Sequence, residues 1–246
     1  LLSETDSTNH YAAARADSLA DGAVVLAEHQ SAGRGRLGRR WEAPRGSSLL
    51  LSVLLHEHAS SPLIPHAAVL AAAAACRAVC DVTDCRPRLR WPNDLVLSGR
   101  KLGGVLAESR SIRLPLADAP TRAVVIGLGI NCLQQRGHFQ NDLAEKATSL
   151  EIESTRPIDR RALARALLTQ LDDSLSRPDR AAPQSETVHE LWQHFSDDIG
   201  TRVTLARHGD VAEGTVVDVL MDGDLLVELD HGGRTRFESA TTTRIW

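Results

Sequence analysis

Aromatic side chains are scarce in this chain: three Phe, one Tyr and four Trp amount to 3% of 246 residues. Its cores must therefore be filled by Leu, Val and Ala. Cysteine is equally sparse, with four in all. Cys76 and Cys80 stand four apart and Cys85 follows five later, but no CxxC occurs and no His sits at ligand spacing beside them. That pattern excludes a zinc framework and fits buried, reduced thiols. The ten His form no HExxH, and His56 and His58, flanking Glu57, read as a solvated strand end. Long apolar runs are missing too. The longest, Ala67–Cys76, has ten residues, whereas a membrane span needs about 20. Glu4, Asp6, Arg15 and Asp17 occupy the place of a secretory signal's apolar stretch. The first residue is Leu rather than Met, which leaves room for a short leader ahead of it. An excess of basic charge is also lacking: the formal charge is −4, so the body is no polyanion binder and DNA is not an expected partner. A cytoplasmic location follows as the expectation.

Against that mildly acidic background one segment stands out. Between Arg34 and Arg45 lie five arginines (Arg34, Arg36, Arg39, Arg40, Arg45) and a single acid, Glu42. Gly33, Gly35, Gly38 and Gly46 punctuate them, with Trp41 near the middle. Such a stretch repels itself and has little apolar surface to bury. It is expected to be a loop that orders around an anion. A second polar cluster follows far along the chain, Arg90-Trp-Pro-Asn-Asp94 and then Arg100-Lys101-Leu-Gly-Gly104.

Hydrophobic content of 42% and charged content of 24% are ordinary for a globular protein. Ser7-Thr8 offers hydroxyls to cap an Ala-rich helix. Strands are expected at 23–28, 47–55, 88–90, 94–97, 101–108 and 123–130. A nearly all-apolar helix should run from Ser61-Pro62 to Cys80, buried because it has no polar face. Asp159 should cap a helix with Leu163, Leu167, Leu171 and Leu175 on one side, and a last helix should cover about Ser185–Phe195. Leu114–Pro120 and Ser176–Gln184 read as Pro-containing linkers. Beyond Gly200 the turn signals His208-Gly209, Asp222-Gly223 and His231-Gly232-Gly233 separate short Val/Leu/Thr runs, a hairpin-rich unit. At about 46 residues it is too small for an independent core, so it should pack on the rest. The expected division is 1–198 and 199–246.

Gly33-Arg-Gly-Arg-Leu-Gly38 matches the dinucleotide pattern GxGxxG, yet a strand rather than a helix follows it, so that reading fails. Five motifs taken in order resemble the biotin protein ligases: Asp6-Ser-Thr-Asn9, Glu28-His-Gln-Ser-Ala-Gly-Arg-Gly-Arg-Leu-Gly38, Arg90-Trp-Pro-Asn-Asp94, Lys101-Leu-Gly-Gly104 and Gly127-Leu-Gly-Ile-Asn131. The resemblance spans essentially the whole chain. It implies an α+β catalytic domain with a mixed sheet, related to class II aminoacyl-tRNA synthetases, followed by a small SH3-like β-barrel. It also implies a reaction: ATP and Mg2+ activate biotin as biotinyl-5′-AMP, and the biotin passes to a lysine of a biotin carboxyl carrier protein of acetyl-CoA carboxylase.

The residues suit that chemistry. A carboxylate attacking a phosphate brings two anions together, and at about 4 Å like charges repel by roughly 4 kcal/mol at an effective dielectric near 20. Arg36 and Lys101 are the expected counter-charges. The resemblance places Ser7, Thr8, Asn9, Gln30, Arg34, Gly35, Arg36, Lys101, Gly103 and Gly104 around biotin. It places Arg36, Arg39, Trp41, Asn93, Asp94 and Asn131 around ATP or the adenylate. Ser7 and Thr8 are also good helix-cap residues, Trp41 is either lid or loop anchor, and Asn131 either reads adenine or ends a strand. Asp94 either orients or deprotonates the acceptor amine, helps place Mg2+, or forms a turn after Pro92. Arg90 stands where many relatives carry Lys. Only six residues precede Ser7, which points to the monofunctional type without a DNA-binding domain. The alternatives are a lipoate or octanoate ligase or transferase of the same fold, and a biotin-responsive regulator. A homodimer through an exposed sheet edge is a further expectation.

Overall fold

The computed structural model of the protein describes residues 1–113, 120–175, 185–220 and 222–245. The Ser176–Gln184 linker, and all of the Leu114–Pro120 linker except Pro120, lie outside them. In chain order come α1 (Thr8–Ala14), β1 (Val24–Ala27), β2 (Ser48–His58), α2 (Leu63–Val82), β3 (Arg88–Arg90), β4 (Asp94–Leu97), β5 (Arg100–Ile112) and β6 (Thr121–Asn131). Two one-turn helices, α3 (Leu143–Lys146) and α4 (Leu150–Glu153), precede α5 (Arg160–Leu175) and α6 (Ser185–Phe195). The C-terminal strands are β7 (Arg202–Arg207), β8 (Asp210–Val219), β9 (Leu225–Leu229), β10 (Arg234–Phe237) and β11 (Thr242–Ile245).

β1 to β6 form one six-stranded sheet in the order β1-β2-β6-β5-β4-β3. Every pair of neighbouring strands in it is antiparallel, which corrects the expected mixed sheet. Parallel pairing is confined to isolated bridges, and these matter for another expectation. Leu2 bridges Ala27 and Thr5 bridges Gln30 along the outer side of β1, while Ser196 bridges Leu89 of β3. These bridges cover only parts of the rim: β5 pairs with β4 from Arg100 to Gly104 alone, and from Leu106 to Ile112 its one strand partner among the described residues is β6, so a bare edge of the kind expected for dimerisation is present there.

Strand periodicity sorts the residues into two faces. Along β6, Val124, Ile126, Leu128 and Ile130 enter the main core, as do Leu49, Leu51, Val53 and Leu55 of β2. α2 lies in that core. It is buried along most of its length, although by length and composition alone it could cross a membrane. Single polar residues such as His66 and Arg77 break the apolar run without ending the helix, and its burial is that of a core helix. Leu163, Leu167, Leu171 and Leu175 of α5 are all buried, as their four-residue spacing requires. On the opposite face, Ala12, Ala16, Val25, Leu54, Ala123 and Val125 make a smaller cluster under α1. The odd-numbered positions at the end of β6, Gly127, Gly129 and Asn131, share that second face, and they border the cavity described below.

The last five strands form a second antiparallel sheet, β10-β9-β8-β7-β11. Its turns fall where the sequence signals them, with positive φ at His208, Gly209, Gly223, Gly232 and Gly233. Val203, Leu205, Val216, Leu225 and Phe237 join the same hydrophobic cluster as α2. Trp91, fully buried, donates its indole N–H to the Gly223 carbonyl at 2.8 Å and its backbone N–H to Asp198 at 2.6 Å. The small sheet completes its core by sharing.

Candidate functional site

A cavity of about 720 Å³ opens between the second face of the large sheet, the arginine-rich loop, the segment around Phe139 and strand β11. Its floor is set from the N-terminus. Ser7 caps α1, accepting from the His10 N–H at 3.4 Å. Thr8 donates its backbone N–H to Gln30 Oε1 at 2.7 Å, and its hydroxyl lies 3.0 Å from the same oxygen. The Gln30 carbonyl is therefore filled, and its NH2 is the group left for a ligand. Asn9 is fully committed to the fold. It donates to the Leu106 carbonyl (3.1 Å) and to Glu108 (3.0 Å), and accepts from Ser52 (2.7 Å). It sits where a Cβ on Gly127 would stand, 2.0 Å from its Oδ1. Asn9 thus borders the cavity as a supporting residue, and the β2 hydroxyl of Ser52, missed in the sequence, orients it.

The charged end of the site lies across the sheet. Lys101 Nζ donates to Asp94 Oδ1 at 2.6 Å. A register shift between Leu95 and Val96 puts an extra residue on β5, and such bulges re-aim side chains. Gly104 lies under the ion pair: a Cβ there would stand 3.4 Å from Asp94 Oδ1 and 3.7 Å from Lys101 Cε. Gly103 is different. A Cβ there would meet the Gly129 carbonyl at 2.5 Å, so its lack of a side chain serves strand pairing. It is not among the cavity-lining residues, a correction to the reading that placed it at biotin.

The arginine-rich loop covers one side. Arg36 donates to the Ser239 carbonyl of the C-terminal sheet and, at 3.5 Å, to Asn93 Oδ1. Burial lowers the pKa of its guanidinium, and Asp94 nearby works against that effect. Arg34 is ion-paired with Glu108 at 2.7 Å. Arg39, Arg34 and Gly35 line the cavity. The Trp41 ring lies on Gly129, with Cε2 at 2.8 Å from where a Cβ would be. Trp41 is thus anchored on the sheet and borders the cavity as well. Its buried Nε1 has no hydrogen-bond partner among the described residues, a donor that a ligand can satisfy.

Asn131 donates to the Thr148 carbonyl at 3.0 Å and accepts from Gln134 at 2.9 Å. Its amide keeps one N–H and one lone pair for anything else. Arg90 lies outside the cavity, in a second cleft with Arg88 and Arg244. Sequence reasoning also missed Gln134, Phe139 and the β11 residues Thr243, Arg244 and Ile245, all of which line the cavity. The approach of β11 to a loop two hundred residues earlier leaves no local signal. Among the described residues no cluster of three His, Cys, Asp or Glu is placed to hold a metal. All four cysteines are free, and Cys76, Cys85 and Cys132 are buried.

Residues 1–131 match the model of the biotin/lipoate A/B protein ligase family. The chain is 35% identical to the biotin--[acetyl-CoA-carboxylase] ligase of Mycobacterium tuberculosis, over 98% of this chain and 86% of that protein. It is 28% identical to the bifunctional ligase/repressor BirA of Bacillus subtilis, over 94% of this chain and 69% of that protein. Among solved structures, the biotin protein ligase of Aquifex aeolicus in complex with biotin and ATP shares the fold. The TM-score is 0.76 at 23% identity, covering 99% of this chain and 97% of that one.

Proposed function

The chain belongs to the biotin/lipoate A/B protein ligase family, and from that premise we propose that it activates biotin with ATP as biotinyl-5′-AMP and transfers it to a lysine of a biotin carboxyl carrier protein. One observation carries the reading. Lys101, Asp94 and Arg36 converge at one end of a cavity whose other borders are Gln30 and Asn131. Gln30 presents N–H donors suited to the ureido oxygen, in a cavity that Leu106 and the Trp41 ring also line.

Lys101 and Asp94 neutralise one another until stronger anions compete for the ammonium. The carboxylate and the α-phosphate are such anions. Lys101 and Arg36 offset their repulsion, about 4 kcal/mol at 4 Å and an effective dielectric near 20, and stabilise charge on the phosphorus oxygens as it develops. Asp94, released from Lys101, then faces the acceptor lysine. That amine is neutral in only about one molecule in 10³ at pH 7, so a carboxylate that orients it or takes its proton speeds transfer. Mg2+ arrives with the ATP phosphates. Trp41 and the loop arginines close over the mixed anhydride and keep water away. The second sheet we read as an SH3-like unit, 199–246, that lends β11 and the Ser239 carbonyl to the site of a catalytic domain, 1–198.

Labelled biotin, ATP-Mg and a carboxyl carrier domain should give label on the carrier, and Lys101→Ala or Arg36→Ala should abolish it. Lipoate in place of biotin is the competing reading within the family. Thermal stabilisation by lipoate without stabilisation by biotin would overturn the choice.

A further inference from the structure

Building on that reaction, we infer that Arg160 is a positioning residue that clamps both stems of the arginine-rich loop and so governs how well the loop seals the cavity. Arg160 opens α5. A cation there opposes the helix dipole, which favours negative charge at an N-terminus; Asp159 supplies the capping oxygen, accepting from Arg161 and Ala162 N–H at 2.7 and 3.1 Å. Helix stability therefore does not account for Arg160. Its contacts do. Nη2 donates to Glu28 Oε2 at 2.8 Å, on the chain just before the loop, and Nη1 donates to the Ser48 carbonyl at 2.9 Å, just after it. Both partners are well shielded, with Arg160 25% and Glu28 32% exposed.

The two stems also touch directly beneath this fork. Gly46 N–H donates to the Glu28 carbonyl at 2.8 Å. Gly46 has a φ of +71°, open only to residues without a side-chain penalty, and its α-carbon looks toward Glu28 Oε2 and Arg160 Nη2. One planar guanidinium thus adds a side-chain tie across the base of residues 29–47, beyond the last backbone pair of β1 and β2, Ala27 with Leu50. Gln30 lies two residues inside the first stem. Ser48 Oγ accepts from Gln134, which holds Asn131. A loop clamped at its base moves as a unit, which a lid over a water-sensitive anhydride requires. A lysine cannot hold both partners in this geometry, because its point-like ammonium lacks the fork.

The test compares wild type, Arg160→Met and Arg160→Lys as full chains. Amide hydrogen exchange at Gly46 is read without any ligand. Uncoupled turnover is read as AMP formed per biotin transferred. In Arg160→Met both should rise at least about tenfold, because two hydrogen bonds are lost and one of them is to a carboxylate, with β6 amides exchanging as in wild type. Arg160→Lys should fall between. Faster exchange with an unchanged AMP ratio would refute the seal, as would no change in either. A wild type that makes no adenylate from biotin would remove the assigned reaction, and the exchange measurement would still decide whether Arg160 holds the loop.

Discussion

Replacing Gly129 by Ala tests the contact on which the lid depends. The added methyl would stand 2.8 Å from Trp41 Cε2, 2.9 Å from Cζ2 and 3.2 Å from Cδ2. Carbon atoms rest at about 3.5–4.0 Å, so the indole must retreat by close to 1 Å. It cannot slide freely. Trp41 N–H donates to the Gly33 carbonyl at 3.0 Å, and the Trp41 carbonyl lies 2.3 Å from where a Gly33 Cβ would be, so loop and ring move together. Overpacking of this kind costs about 1–3 kcal/mol. Set against the closed arrangement of the lid, that is roughly a fivefold to 150-fold loss in kcat/KM for ATP. The strand itself should tolerate Ala, because Gly129 lies in mid-sheet between β2 and β5 and its φ is not in the left-handed region. The assay is pyrophosphate release at varied ATP with biotin saturating, alongside thermal melting. A variant with wild-type kcat/KM for ATP would refute the reasoning; so would a loss matched by collapse of the melting temperature.

Asp94→Asn should leave adenylate formation within a few-fold of wild type and slow transfer to the carrier by about 10²-fold, the usual size of a lost general base; single-turnover kinetics separate the two steps. Glu153 bears on pH stability. Its burial pushes the pKa up, but hydrogen bonds from Ser98 and Thr148 and the charge of Arg100 outweigh that, leaving it below the ordinary value. A lowered folded pKa gives stability that is present above the unfolded value, about 4.3, and lost as pH falls through the folded one. The gap in urea midpoint between wild type and Glu153→Gln should thus be open at neutral pH and shrink progressively below about pH 4. The Cys132 thiol, pushed up to about 12 by burial, should resist a thiol reagent at pH 8 until urea unfolds the chain. Partly exposed Cys80 should react first, as peptide mapping of the labelled protein would reveal.

Much of this architecture could be read before any coordinates. Short strands at Arg88–Arg90 and Asp94–Leu97 were legible because turn-forming residues bound them on both sides. The α5 leucines carried their own period. In the C-terminal sheet the glycines announced each hairpin. These are local properties. The one-turn helices α3 and α4 have too few residues to show a period. The parallel bridges of Leu2 and Thr5 depend on partners more than twenty residues away. The site divides along the same line. Lys101, Asp94, Gln30 and Asn131 were singled out by motif and Trp41 from the arginine-rich segment, and all border one cavity. What the motifs concealed was the division of labour among them. Gly127 is small so that Asn9 fits, and Gly129 so that Trp41 fits. The filling side chain comes from about a hundred residues away in each case, so no window of sequence contains the reason.

The half-paired strand β5 bears on how an acceptor protein can be recognised. Many proteins read an extended peptide by zipping it onto a bare strand, letting backbone amides supply affinity in any register. Leu2 and Ser196 take up parts of β1 and β3, but the Leu106–Ile112 stretch of β5 has a described strand on one side only, so that route stays open there. Strand addition there would be indifferent to sequence, so choice of the target lysine would still rest on surface shape and side-chain charge around the mouth of the cavity, features that single substitutions can retune without disturbing the scaffold.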